Sequence, residues 1–224
     1  MSNTSKPNDT KTSGRADSPT PAERTIAVES LAVMNRLGEI GIGGVERRLQ
    51  QLHPEATVTS EQVAHGYARA DLLEATFVGE ERVGVRSRLP GAPFGSALVL
   101  FPLASANNAA RLMVRDVLSE GEAPSHKMAQ SAITELGGMI ASGFLDAWAD
   151  TFEQEIDVGA PTPIQDTEAE IVGTLIEEDE DLGIYVASRL TLPAYDITVQ
   201  VYLFPRTDIL IEILRRIDVE RVVP

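Results

Sequence analysis

A hydroxyl and a carboxylate are spaced one helical turn apart in the segment SAITELGGMIASG. Four positions follow one another at intervals of four, three and four residues: Ser131, Glu135, Gly138 and Ser142. On a helix these positions share one face. A carboxylate there can pair with a lysine or orient a water molecule, and glycine lets another backbone come close. The same pattern also fits an acidic exposed face with glycines for tight helix packing, so the chemistry alone leaves both interpretations open.

The helix that carries these residues is predicted from His126 to about Phe152. Ser125 is a good N-cap because its hydroxyl can accept a hydrogen bond from a free amide of the first turn. On the side opposite the polar positions, apolar residues recur with the helical period and predict a stripe that faces the core: Ile133, Leu136, Ile140, Phe144 and Trp148. Ser131 and Glu135 are therefore expected to face solvent or a partner.

The remaining predicted elements follow an order that occurs twice: helix, strands, helix. They are a helix from about residue 22 to 52, strands at 72–78, 82–89 and 95–101, a helix from Ser105, strands at 154–159, 168–177, 183–192 and 195–204, and a helix at 207–217. GEE at 79–81 is predicted as a hairpin turn, and the acidic run EEDED at 177–181 as a solvated turn.

Two sequence matches indicate an internal duplication. Leu-Phe-Pro ends at Pro102 and again at Pro205, 103 residues apart, and each copy closes a strand before a helix. LGEIGIGG at 37–44 pairs with LGGMIASG at 136–143 at an offset of 99. Because strands joined by short turns favour antiparallel pairing, we expect an α+β fold with a pseudo-twofold repeat, in which helices flank an antiparallel sheet.

The domain organisation follows from composition. Residues 1–21 are rich in Ser, Thr, Pro and Asn with almost no apolar side chains, so they predict a disordered tail. Residues 22–224 are expected to form one domain with repeats at about 22–120 and 121–217. The chain has no cysteine, no apolar run long enough to span a bilayer and no apolar segment typical of a secretory signal. These features predict a soluble cytoplasmic protein without membrane insertion.

The charge of the chain excludes one class of partner. The net charge is −15, and because residues 1–21 carry three basic and two acidic side chains, residues 22–224 carry about −16. Such a surface repels phosphate backbones, so nucleic-acid binding is not expected. Only Lys6, Lys11 and Lys127 are lysines among the 19 basic residues. An acid-rich, lysine-poor composition suits a salt-loaded cytoplasm, where salt screens repulsion between carboxylates, and it favours a halophilic source over a merely acidic protein.

The spacing around Glu135 resembles the CheC/CheX/FliY family of chemotaxis phosphatases. The signature of that family is Asp or Ser, three residues, Glu, two residues, Asn, 22 residues and Pro. Here Ser131 and Glu135 fit the first two positions, and residues 139–160 separate the third position from Pro161. The resemblance covers roughly residues 22–217 and implies a CheC-like fold and removal of phosphate from the response regulator CheY. It implies that the Glu engages the lysine of the regulator and that the Asn amide orients the attacking water.

Gly138 stands where the family has Asn, and glycine has no side chain to hold water. The loss of one positioning group of this kind commonly costs about 10²- to 10³-fold in rate, judged from oxyanion-hole donors. At the same offset the first half has Ala32, Arg36, Glu39 and Gln62 in the four signature slots, so its site is expected to be erased. Ser142 or Gln130 could supply the missing dipole in the second half.

The resemblance leaves two functions open: a weak phosphatase acting on phosphorylated CheY, and a catalytically inactive binding module for CheY or for CheD, the receptor deamidase that CheC proteins bind. A structural acidic domain outside taxis is the third alternative. No cofactor is expected. The histidines at 53, 65 and 126 lack the spacing of zinc ligands, the acidic run lacks the pattern of a calcium loop, and no phosphate-binding glycine loop occurs. Because the halves complement one another internally, a monomer is expected.

Overall fold

The computed structural model describes residues 28–52, 54, 57–77, 79–119, 122–179 and 182–217. The predicted disordered tail lies outside these residues, as do the last two positions of the acidic run and His53. The helices are α1 (Val28–Leu52), α2 (Leu73–Thr76), α3 (Leu103–Val114), α4 (His126–Phe152), α5 (Glu168–Glu178) and α6 (Thr207–Arg216). The strands are β1 (Thr59–Tyr67), β2 (Glu81–Leu89), β3 (Gly95–Pro102), β4 (Thr162–Thr167), β5 (Ile184–Leu192) and β6 (Ile197–Pro205). Within the described ranges, no helix combines the length and apolarity needed to cross a bilayer.

The described strands form one antiparallel sheet of six strands in the order β1-β5-β6-β3-β2-β4. The first half contributes β1, β2 and β3, and the second half contributes their counterparts β4, β5 and β6. When each strand is replaced by its counterpart, the strand order is the same but runs from the opposite edge of the sheet. The central pair is β3 and β6, which joins the two halves, and the Leu-Phe-Pro segments lie at the ends of these two strands. The predicted α+β fold with a pseudo-twofold repeat and helices flanking an antiparallel sheet is confirmed.

Both faces of the sheet are buried, and alternate side chains of β3 contribute to the core on each face. Its side chains at 97, 99 and 101 belong to the core under α1, α3, α4 and α6. Its side chains at 98 and 100 belong to the core on the opposite face, under α5. Because both faces are covered, the central strands are nearly continuous apolar runs, and this composition made β3, β5 and β6 predictable.

The glycines of the duplicated segment lie where α1 crosses α4. A Cβ atom built on Gly44 would lie 2.0 Å from the carbonyl oxygen of Gly143, and one on Gly143 would lie 3.0 Å from the carbonyl oxygen of Gly44. These are the matching last glycines of the two segments at 37–44 and 136–143. Glycine lowers the helix propensity of both α1 and α4 at this point, but only glycine allows the two backbones to approach so closely.

A buried charged network attaches the start of α5 to the sheet. The Nε atom of Arg82 donates to Oε2 of Glu168 at 3.2 Å, and the Tyr202 hydroxyl donates to the other carboxylate oxygen. The side chain of Glu168 is 5% exposed and that of Arg82 is 10% exposed. Burial, and next the negative charge of Glu168, raise the pKa of Tyr202 well above its ordinary value, since both oppose phenolate formation. Tyr202 therefore remains a hydrogen-bond donor to the carboxylate.

Three predicted strands are wrong. Residues 72–78 include the short helix α2, residues 168–177 lie in α5, and residues 154–159 adopt no regular structure. The predicted hairpin at 79–81 is also wrong, because α2 precedes it instead of a strand. Apolar runs of this length suit a strand or a helix segment equally. In α5 the helix begins after Thr167, whose side chain caps it by accepting a hydrogen bond from the amide of Glu170. The strands β1 and β4 were not predicted.

Candidate functional site

The helix α4 positions the candidate site, and its local sequence accounts for its bounds. The Ser125 hydroxyl accepts a hydrogen bond from the Met128 amide at 3.3 Å, which confirms the predicted N-cap. At the other end Glu153 adopts a left-handed conformation, and its amide donates to the Ala149 carbonyl. The predicted apolar stripe is buried in the core under the helix: Ile133, Leu136, Ile140, Phe144 and Trp148. The Trp148 indole also donates to the Leu37 carbonyl oxygen at 2.9 Å, which ties α4 to α1.

Ser131 and Glu135 are both exposed on the outer face of α4. Within the described part of the chain, neither side chain makes a hydrogen bond or an ion pair. The carboxylate of Glu135 is therefore accessible and is not neutralised by a neighbour. A visiting protein could place a lysine against it without first breaking an internal contact.

Gly138 and Pro161, far apart in the sequence, meet in space. A Cβ atom built on Gly138 would lie 3.0 Å from Cγ of Pro161 and 3.5 Å from its Cβ. The chain reaches this position because it turns back after α4 and is held to β2, where the Gly159 amide donates to the Arg88 carbonyl at 2.8 Å. The fixed interval between the two positions thus corresponds to a direct contact, and any side chain at 138 would lie against the proline ring.

The two residues considered as substitutes for the missing amide lie in different places. Ser142 is half-buried on the same face of α4, one turn beyond Gly138, or about 6 Å along the axis. Gln130 lies two turns before Gly138, or about 12 Å along the axis. It lines a groove of about 410 Å³ between α3, α4 and the β2–β4 edge. Gln130 is therefore too far from position 138 to orient the same water molecule, which leaves Ser142.

The corresponding positions of the first half form a different arrangement. The Arg36 guanidinium donates to the Glu39 carboxylate at 2.8 Å, so the residues in the Glu and Asn slots neutralise one another. Ala32 is exposed and offers no hydroxyl. The backbone of Gln62, in the proline slot, lies in β1. Among the described residues at these corresponding positions, an unpaired carboxylate occurs in the second half alone, at Glu135.

Comparison with known proteins bears on this site directly. The CheC-like family model matches residues 128–164, a segment that contains Ser131, Glu135, Gly138 and Pro161. Over 194 residues the chain is 28% identical to the CheC1 protein of Halobacterium salinarum, which is named for a CheY-P phosphatase activity. That match covers 86% of this chain and 98% of the relative. In sequence the chain is therefore similar to CheC-like proteins, both across the candidate site and over most of its length.

Solved structures share this fold at very low sequence identity. FliY of Thermotoga maritima superposes on this chain with a TM-score of 0.65 at 11% identity, over 85% of this chain and 98% of that one. The FliM middle domain of H. pylori has a TM-score of 0.56 at 10% identity, over 86% and 100% of the two chains. At such identities these matches show only that this chain shares its fold with FliY and the FliM middle domain.

Proposed function

We propose that the protein docks a phosphorylated CheY-type response regulator on the exposed face of α4 and hydrolyses its acyl phosphate slowly. The observation that carries this proposal is the unpaired, exposed carboxylate of Glu135, one turn from Ser131 and within a turn of the Gly138–Pro161 contact. The relative named for CheY-P phosphatase activity supports the choice of partner. In this proposal Glu135 pairs with the active-site lysine of the regulator.

The slow rate follows from Gly138. Hydrolysis of an acyl phosphate requires a water molecule held in line with the phosphorus atom, and an amide at this position would hold it by hydrogen bonds. Glycine supplies no such group, and the hydroxyl of Ser142 lies about 6 Å further along the helix axis. Loss of one positioning group of this kind lowers the rate by about 10²- to 10³-fold.

Phosphate release from phosphorylated CheY tests the proposal. We expect turnover above the spontaneous rate, and we expect Glu135→Ala to return it to the spontaneous rate because the carboxylate proposed to pair with the lysine is then lost. Asp146→Ala is a matched control, since Asp146 is an exposed acidic residue near the other end of α4. Turnover above the spontaneous rate that is equal in the Glu135→Ala variant and the native protein would exclude this face as the site.

The substitution Gly138→Asn tests the cause of the slow rate. We expect it to raise turnover by about tenfold or more, since it restores the positioning amide. The new Cβ atom lies 3.0 Å from Pro161 Cγ, so the ring must move by a few tenths of an ångström. Gly138→Ala introduces the same Cβ atom without the amide and should not raise the rate. A similar gain in both variants would mean that packing, and not the amide, limits turnover.

A second function, a binding module without catalysis, is favoured by the same glycine. In that case the protein binds activated CheY with micromolar or tighter affinity, Glu135→Ala weakens binding, and Gly138→Asn leaves phosphate release at the spontaneous rate. Binding to CheD in the absence of CheY binding would instead make CheD the partner of the module. Measuring binding and phosphate release on the same variants separates these outcomes.

We further propose that the protein is adapted to concentrated salt. With a net charge of −15, repulsion between carboxylates acts over about 10 Å at 0.1 M salt and about 3 Å at 1 M. We expect the midpoint of thermal unfolding to rise by several degrees or more between these conditions, as followed by circular dichroism in KCl. A midpoint that falls or stays constant as KCl increases would contradict this proposal.

A further inference from the structure

An arginine cluster lies on the other face of the sheet from α4. Arg86 and Arg88 are two residues apart on β2, so both point to the face covered by α5, whereas Val85 points to the core under α4. They border a cavity of about 430 Å³ that Arg206, just before α6, also lines. Three of the 19 basic side chains of a chain with net charge −15 thus surround one cavity. No local spacing in the sequence marks this cluster.

A single carboxylate oxygen currently holds two of the three guanidinium groups. Oε2 of Glu178 accepts from Arg86 at 2.7 Å and from Arg88 at 2.9 Å. Arg86 also donates through Nε to the hydroxyl of the buried Ser96, at 3.2 Å. The hydrogen bond from Arg86 is the main cause of the lowered pKa of Glu178, so this carboxyl is ionised across the neutral range. Two cations that share one oxygen retain donors for further acceptors.

The guanidinium group of Arg86 is anchored at the base of the cavity, while that of Arg88 remains accessible. Their side chains are 16% and 72% exposed, respectively. The Arg206 side chain is 37% exposed and paired with Asp208, and its amide lies 3.3 Å from the Pro93 carbonyl. An anion entering the cavity would thus meet one fixed guanidinium and one that can reorient toward it.

Part of the remaining wall of the cavity is apolar: Leu89 ends β2, Pro90 and Phe94 lie in the loop between β2 and β3, and Leu182 precedes β5. Asp179, next to Glu178, also lines the cavity. Phe94 is half-buried, so part of its ring faces accessible space. Cavities of this volume are within the range that holds small organic ligands, of roughly 300–1,000 Å³. A charged floor beside an apolar wall fits a ligand with an anionic end and a flat apolar body.

We propose that this cavity binds a small phosphate monoester. The phosphate oxygens replace the Glu178 carboxylate on Arg86 and Arg88, because three acceptor oxygens match two planar forks better than one shared oxygen does. The organic part of the ligand lies against Phe94. The site is on the opposite side of the sheet from Ser131 and Glu135, and it shares no residue with the face proposed to dock CheY.

Calorimetric titration of the full chain with adenosine 5′-monophosphate, inorganic phosphate and adenosine tests this inference. The titrations are done in about 1 M KCl, where screening suppresses repulsion by the acidic surface but reduces contacts in a partly buried site much less. We expect saturable binding of the monoester, binding of inorganic phosphate that is about tenfold or more weaker, and no binding of adenosine. Equal affinities for the monoester and inorganic phosphate would refute a role for the apolar wall, and equal binding of adenosine would refute the anion site.

Substitutions of the charged residues test whether the monoester binds in this cavity. Arg88→Gln removes an exposed guanidinium and should weaken binding about tenfold or more, the usual effect of losing a charge-assisted hydrogen bond. Glu178→Gln should tighten binding several-fold because it removes the charge that competes for the arginines. Arg69→Gln is the matched control, since Arg69 is an exposed arginine paired with Asp71 and does not line this cavity. Unchanged affinity in both Arg88→Gln and Arg86→Gln, with folding confirmed by circular dichroism, would overturn the assignment.

Discussion

Replacement of Gly44 by alanine is expected to lower the free energy of unfolding by about 3 kcal/mol or more. The added methyl group would lie 2.0 Å from the carbonyl oxygen of Gly143, far inside van der Waals contact. A backbone carbonyl in the middle of a helix cannot rotate away, so α1 and α4 must separate along their crossing. Because this crossing covers the central part of the core, separation also opens the packing around Trp148.

The neighbouring glycine provides a control with the opposite sign. A Cβ atom on Gly43 would be at an ordinary contact distance of 3.7 Å from Arg47, so Gly43→Ala removes only the unfavourable helix propensity of glycine. That variant should gain about 0.5–1 kcal/mol. Chemical denaturation in concentrated KCl, followed by circular dichroism, measures both values. Equal stability of the two variants would show that the crossing tolerates a methyl group and that the duplicated glycines serve another purpose.

Replacement of Glu168 by glutamine is the second change with a large expected effect, a loss of about 3 kcal/mol. The carboxylate is almost fully buried, and it accepts from both Arg82 and Tyr202. The amide has nearly the same shape but no negative charge, so the guanidinium loses its buried counterion. If the amide nitrogen faces Arg82 it meets another donor, and if it faces Tyr202 the hydroxyl must accept instead of donate.

Glu80 is a matched control because it pairs with the same arginine. Its distance to Arg82 is 3.1 Å, close to the 3.2 Å of the Glu168 contact, but its side chain is 73% exposed. Glu80→Gln should therefore change the free energy of unfolding by less than about 1 kcal/mol. A loss of similar size in both variants would mean that burial does not determine the strength of this network.

The elements that were predictable from the sequence have a regular apolar pattern and a recognisable boundary residue or a fully covered position in the sheet. The helix α4 has a capping serine and a regular apolar stripe, and β3, β5 and β6 are apolar because both faces of the sheet are covered. The two glycine-containing segments at 37–44 and 136–143 indicated the duplication, and the structure adds that their last glycines touch. That contact depends on the crossing of two helices and has no signature within either segment.

The strands β1 and β4 could not be predicted because they are the edges of the sheet. Their sequences, TSEQVAHGY and TPIQDT, are mostly polar, since an edge strand buries little of its surface. The helix α5 was mistaken for a strand because IVGTLI is a short apolar run, and the run itself does not reveal whether it packs as a helix on a sheet.

Some features of the candidate site were also predictable from the sequence, and others were not. Spacing alone placed Ser131 and Glu135 on one exposed face of a helix, as the structure has them. The arrangement at Arg36 and Glu39, where an ion pair replaces the signature residues, was predicted only as the loss of a site. The arginine cluster could not be inferred, because it combines β2 with the end of α5 and the residue before α6. Such clusters depend on tertiary structure and leave no local pattern.

The exchange of edge strands between the halves has a consequence for how this chain could change over generations. The edge strand β1 pairs with β5, and β4 pairs with β2, so each repeat completes the sheet of the other. Loss of either repeat would leave the sheet of the other without an edge strand, which favours retention of both copies. The side chains displayed on α1 and α4 are under no such constraint. The two copies could therefore diverge on this face, and α1 carries an arginine–glutamate pair where α4 carries an unpaired glutamate.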